Sequence, residues 1–130
     1  MTKEEKSLLL KDLCSRLPYG VICFAPDYEY GDIGKLYCIE PFEDSDPQIT
    51  VQYPKGNTIT KFCSEVKPYL RPMSSMTEEE LKEFQEFRNI TPLDWLPLAC
   101  DWLLEHYIDY RGLIAKSLAI VATDNMYKVG

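Results

Sequence analysis

Apolar residues recur along this chain with two periods, and turn chemistry marks where one gives way to the other. Leu9, Leu10, Leu13, Cys14 and Leu17 follow three- and four-residue steps, the spacing of one helical face. Thr2 and Glu5 precede them as a T-x-x-E capping box. The pattern predicts a helix over 3–16, ended by Leu17-Pro18-Tyr19-Gly20. Short apolar or alternating runs follow at 21–25, 35–42, 48–53 and 58–63. Between them lie an acidic, glycine-bearing stretch at 26–34, an acidic turn at 43–47 and Pro54-Lys55-Gly56-Asn57. Strands punctuated in this way predict a four-stranded, curved antiparallel meander.

Pro68 and Pro72 forbid a regular helix through 64–76, so a 3₁₀ turn and an extended crossover are expected there. Thr77 and Glu80 form a second capping box, with Met76 and Leu81 spaced as a hydrophobic staple. A helix over 78–88 would turn Leu81, Phe84 and Phe87 inward. Thr91-Pro92 opens the last helical part, which Pro97 should kink or split at 92–96, leaving a central helix over 98–108. Trp95, Leu98, Ala99, Trp102, His106 and Tyr110 share one face of it, and Asp94, Asp101, Glu105 and Asp109 another. Asp109 is placed to cap a further helix over 110–119. The expected class is α+β: an N-terminal helix, the meander, and a C-terminal helical layer of two to three helices, in one domain over 1–130.

Composition narrows the function. A net charge of −7 opposes a direct nucleic-acid partner. It leaves room for basic partners or for an acidic imitation of nucleic acid. Cys14, Cys23, Cys38, Cys63 and Cys100 lack C-x-x-C spacing and fit reduced thiols of a cytosol. One histidine and no paired cysteines predict no metal site. The N-terminal M-T-K-E-E-K holds no signal-peptide core, and no apolar run is long enough for a bilayer. The expected location is cytoplasmic.

Candidate chemistry is sparse. His106 could act as general acid or base beside Glu105 or Asp109. A core-edge imidazole bonded to a carbonyl is the plainer reading. Phosphate-loop and dinucleotide motifs are absent, as is G-x-S-x-G. The D-Y-E-Y-G-D stretch at 27–32 lacks the glycine and closing glutamate of a calcium loop. No cofactor is implied. Arg71, between two prolines, and Arg111, beside Gly112, are constrained cations. Each could fork onto the carboxylates of Asp101, Glu105 or Asp109 as a clamp, or form an anion or partner-carboxylate site with Tyr19 and Tyr69. Nine tyrosines favour a recognition surface. The candidate binding set is therefore Arg71, Tyr69, Tyr19, Asp101, Glu105, His106, Asp109, Tyr110 and Arg111.

Three stretches, R-L-P-Y-G-V at 16–21, V-K-P-Y-L-R-P-M-S-S-M-T-E-E-E at 66–80 and D-Y-R-G-L-I-A-K-S-L-A at 109–119, occur with M-Y-K at 126–128. In combination they resemble a family of short uncharacterised proteins carried by phages, prophages and mobile elements of anaerobic gut bacteria. Ser117 departs from it, since the family more often has Gly there. The resemblance implies a bacterial cytosol and a phage accessory role, and it brings no activity or catalytic residue. Together these readings favour a non-enzymatic protein that binds a host or phage protein, with homo-oligomers open. The alternatives are a small enzyme centred on His106 and a nucleic-acid mimic.

Overall fold

The computed structural model describes residues 2–40, 47–89, 92–123 and 126–127, the side chains of 88 and 92–95 excepted. The acidic turn expected at 43–47 falls outside these apart from Pro47, and Thr91, Lys128 and the Asp94 and Trp95 side chains fall outside entirely.

Helix α1 spans Lys3–Arg16 and starts at the expected capping box: Thr2 Oγ1 accepts from Glu5 N at 3.1 Å, and Glu5 Oε1 from Thr2 N at 2.8 Å. Its buried face differs from the expected stripe. Leu9 and Leu13 are buried, but Cys14 is exposed, and the charged Asp12 and Arg16 are fully buried in its place. A 3₁₀ turn at Leu17–Tyr19 and Gly20, at φ 70°, lead into the sheet.

The sheet has six strands, two more than expected: β1 (Ile22–Asp27), β2 (Gly31–Glu40), β3 (Gln48–Gln52), β4 (Thr58–Phe62), β5 (Lys67–Leu70) and β6 (Ile120–Val121). Their order is β4-β3-β2-β1-β5-β6. The first four pair antiparallel in sequence, as the turn chemistry demands. One extra strand, β5, comes from the crossover and the other, β6, from the C-terminal segment. β5 lies antiparallel to β1, and β6 runs parallel to β5, so the sheet is mixed. Only two residues of β6 join the ladder, too few for an alternating pattern to register in sequence. The stretch expected as a turn over 26–34 shrinks to Tyr28–Tyr30, because β2 already begins at Gly31.

Val21, Cys23, Ala25, Leu36, Ile49, Val51 and Tyr53 alternate onto the face that meets Leu9 and Leu13 of α1. Gly34 shares that face, and an added Cβ there would sit 2.2 Å from Val51 Cγ1.

Helix α2 (Glu78–Glu86) starts at the second capping box and ends in a 3₁₀ turn at Phe87–Asn89. Phe84 and Phe87 pack inward with Met76, but Leu81 is 43% exposed and not inward as its spacing suggested. Helix α3 runs unsplit through Pro97 from Pro92 to Glu105, ending three residues before the expected 108. Tyr107, at φ 60°, stops it. Ile108 N then donates to Leu103 O and Tyr107 N to Leu104 O, the paired bonds of a left-handed helix stop. Trp102, Leu103 and Ile108 form a second core with Phe84 and Phe87. Leu98, expected on that face, is 45% exposed.

No helix forms over 110–119. Asp109 does cap, its oxygens accepting from Leu113 N at 2.8 Å and Ile114 N at 2.9 Å. The turn it starts ends at once, because Ser117 adopts φ 61° and Leu118 N returns to Leu113 O. Among the described residues no helix is long and apolar enough to cross a membrane.

Candidate functional site

The residues singled out from sequence gather into two groups around the stretch that follows α3, with Asp101 and Glu105 in neither. One surrounds Arg71, the other Arg111.

Arg71 lies at the end of β5, where its backbone bridges to the stop of α3. Arg71 N donates to Tyr107 O at 2.7 Å, and Asp109 N donates to Arg71 O at 2.8 Å. Its guanidinium does not reach Asp101, Glu105 or Asp109. It forks onto Glu80 at 2.9 and 2.6 Å, and reaches Ser75 Oγ at 3.3 Å, Ser75 O at 3.2 Å and His106 O at 3.4 Å. A guanidinium has five N–H donors, and this set engages all of them. The hydrogen bonds from Arg71, then one from Thr77 N, hold the Glu80 carboxyl down at about 2, and the pair raises Arg71 in return. A cleft of about 560 Å³ lies beside this pair, lined also by Thr77, Val121 and Tyr127. The cation lining it is already neutralised, so it does not form the anion site expected of Arg71. Tyr69 contributes its carbonyl, which accepts from Tyr127 Oη at 2.6 Å.

Arg111 also misses the acidic row. Its Nη1 donates to Asp12 Oδ1 at 2.9 Å and its Nη2 to Ser15 Oγ at 3.3 Å. The other Asp12 oxygen takes Arg16 Nε at 2.7 Å, and Arg16 Nη2 donates to Ile108 O at 2.7 Å. Arg16 Nη1 is buried without a partner. The Tyr110 ring lies 4.7 Å from the Arg111 guanidinium and 5.8 Å from that of Arg16. One buried carboxylate thus joins two cations and ties α1 to the segment after α3. The clamp expected on Asp101, Glu105 and Asp109 is replaced by two others, with Glu80 and Asp12 as the acids. The expected acids were wrong for a local reason: Asp109 spends both oxygens on backbone N–H groups, while Asp101 and Glu105 stay exposed. Their charges add to desolvation in pushing the Tyr19 phenol up.

His106 is half-buried against Trp102. Its Nδ1 lies 2.8 Å from Trp102 O, and its ring stacks on the indole at 3.9 Å. Trp102 is 7% exposed and donates from Nε1 to Glu83 at 3.1 Å. Among the described residues the Trp102 carbonyl, and not Glu105 or Asp109, bonds the imidazole, so the carboxylate partner expected for a general base does not form. The buried Cys23 thiol is pushed up to about 12 by burial, then by the charge of Asp12, which keeps it from acting as a thiolate.

Three structural residues escaped the sequence reading. Asp12 and Arg16 stand four apart within the Leu9–Leu13 stripe, and a charged i,i+4 pair inside an apolar face was their signal. Tyr127 left less trace. Its hydroxyl accepts from Ile22 N at 2.9 Å while donating to Tyr69 O, bridging β1 and β5 where a ladder bond would stand. Its ring stacks on Tyr107 at 3.7 Å, and Tyr107 Oη donates to Tyr19 O at 2.7 Å. Tyr107 and Tyr127 therefore form an internal stacked pair held by the backbone carbonyls of Tyr19 and Tyr69, whose own side chains stay partly exposed.

No family model, curated protein or solved structure matches this chain.

Proposed function

We propose that this chain is a non-enzymatic binding protein that engages another protein through the open face of its sheet. The observation carrying this reading is what that face displays. Ile33 and Tyr37 of β2 and Phe62 of β4 stand 43, 57 and 48% exposed. Half-buried Ile22 and Phe24 of β1 adjoin the two β2 residues, with Phe24 directly paired to Ile33 and Ile22 to Lys35, while Phe62 stands apart, level with Glu40 across β3. A cluster of large apolar side chains in water is unfavourable unless a partner covers it, and aromatic residues dominate such contacts. Lys35, between Ile33 and Tyr37 on β2, and Lys67, paired to Phe24, lie among these residues, giving an acidic chain locally basic positions for a complementary partner.

The groups that could perform chemistry favour the same reading. Arg71, Arg111 and Asp109 are consumed by internal bonds, and His106 rests on Trp102. The bacterial cytosol and a phage or mobile-element accessory role are supported by the motif resemblance.

The test is a quantitative pull-down from cells that carry the gene. Wild type and His106→Gln should retain the same protein. Ile33→Lys with Tyr37→Lys should lose it at an unchanged melting temperature. Retention by the double variant with loss in His106→Gln would replace this reading with one centred on the imidazole.

A further inference from the structure

Tyr28 and Tyr30 stand two residues apart in one turn and meet opposite fates. Tyr30 packs into the core, its ring 5.9 Å from that of Tyr53. Tyr28 is 100% exposed. The turn that holds it out is braced. Asp27 Oδ2 accepts from both Glu29 N and Tyr30 N at 3.0 Å, and Asp27 Oδ1 lies 3.8 Å from Lys61 Nζ. Tyr53 Oη donates to Ala25 O on the strand just before the turn. The backbone beneath Tyr28 is therefore tied to the core and to β4, while the phenol touches neither.

We infer that Tyr28 is the anchor of the interface, and that the partner offers an apolar slot for its ring rimmed by Lys or Arg. The inference rests on the binding reading above. A tyrosine has two side-chain torsions and a large amphipathic surface, so its burial gains much contact for little ordering. Bracing lowers the ordering cost further, because the turn need not settle on contact. The charge of the rim follows from the tip. Glu29 and Asp32 are both exposed, and neither is in an ion pair among the described residues. The Asp32 charge reaches far enough to add to burial in pushing the Tyr53 and Tyr69 phenols up. The tip also continues into the exposed face, since the Phe24–Ile33 pair belongs to the same hairpin. Among the described residues the other hairpin tip, Pro54–Asn57, is exposed too but carries no aromatic residue.

A photo-crosslinking amino acid placed at 28, 37 or 55 in the full chain, in cells that carry the gene, separates the possibilities. Positions 28 and 37 should crosslink to the same protein and position 55 should not, and the peptide joined to 28 should neighbour Lys or Arg. With that protein purified, Tyr28→Ala should weaken binding by about 30-fold or more. Tyr28→Phe should weaken it far less, and neither should shift the melting temperature. An adduct at 37 without one at 28, equal adducts at 28 and 55, or unchanged affinity of Tyr28→Ala would overturn the anchor and leave the open-face reading standing. Absence of adducts at both 28 and 37 would overturn both.

Discussion

The Arg71 guanidinium grips both oxygens of Glu80, at 2.9 and 2.6 Å, and the same carboxylate caps α2 through Thr77 N at 3.0 Å. One glutamate thereby closes a helix start and locks the crossover from the sheet to that helix. Arg71 in turn holds the stop of α3 through its own backbone. Sheet, α2 and α3 meet at this pair.

The pair gives stability a defined acid dependence. The folded Glu80 carboxyl titrates near 2, below its ordinary 4.5. Its contribution is complete above about pH 4.5 and fades as pH falls from there toward 2. Glu80→Gln should cost about 1–3 kcal/mol at neutral pH. The gap between wild type and variant in urea melts should be flat above pH 5 and narrow below about 4.5. A gap independent of pH down to the lowest measurable value would contradict the charged fork.

Removing one member of the buried Asp12–Arg16–Arg111 network should be costlier. Asp12→Ala leaves Arg16, at 0% exposure, without its counter-charge, and should destabilise by about 3–5 kcal/mol. Replacing Asp12 and Arg16 together by Leu and Met should recover much of that loss, because the fully buried Arg16 charge is then gone and only Arg111, which reaches solvent, loses its acid. Equal destabilisation in the single and double variants, measured by chemical denaturation, would argue that shape and not charge governs the site.

Among the described residues, two occupy the left-handed backbone region without being glycine, and they should respond oppositely to it. Ser117, at φ 61°, is exposed. Ser117→Gly should stabilise by about 0.5–1 kcal/mol by relieving that conformation. Tyr107, at φ 60°, stacks on Tyr127 and donates to Tyr19 O. Tyr107→Gly should therefore destabilise despite the same relief. Thermal melts of the two variants moving in the same direction would contradict this division.

The capping boxes at Thr2 and Thr77 and the turn at Pro54–Asn57 were legible because each is local: a few adjacent residues suffice to satisfy the backbone. The two-residue β6 was not, since it exists only where Tyr69 and Leu70 supply a partner 51 residues away in the register Tyr69–Ile120 and Leu70–Val121. The helix expected over 110–119 failed at Ser117, whose left-handed conformation no serine announces. Gly is the residue that would adopt this conformation without strain. At the candidate site, the constrained arginines were recognisable but their partners were not. Asp101 and Glu105 lie on α3 just before His106, yet the acids that Arg71 and Arg111 reach lie on α2 and α1. Helical spacing ranks neighbours on one element and is silent about which elements pack together.

Side-chain footprinting of the complex with its captured partner tests the binding account most directly. Oxidative labelling read by mass spectrometry should show Tyr28, Ile33 and Tyr37 shielded on binding. His106 and Met73, which lie on the helical side, should label as in the free chain. Shielding confined to His106 and the residues around Arg71, with Tyr28 and Tyr37 labelled at their free rates, would contradict it.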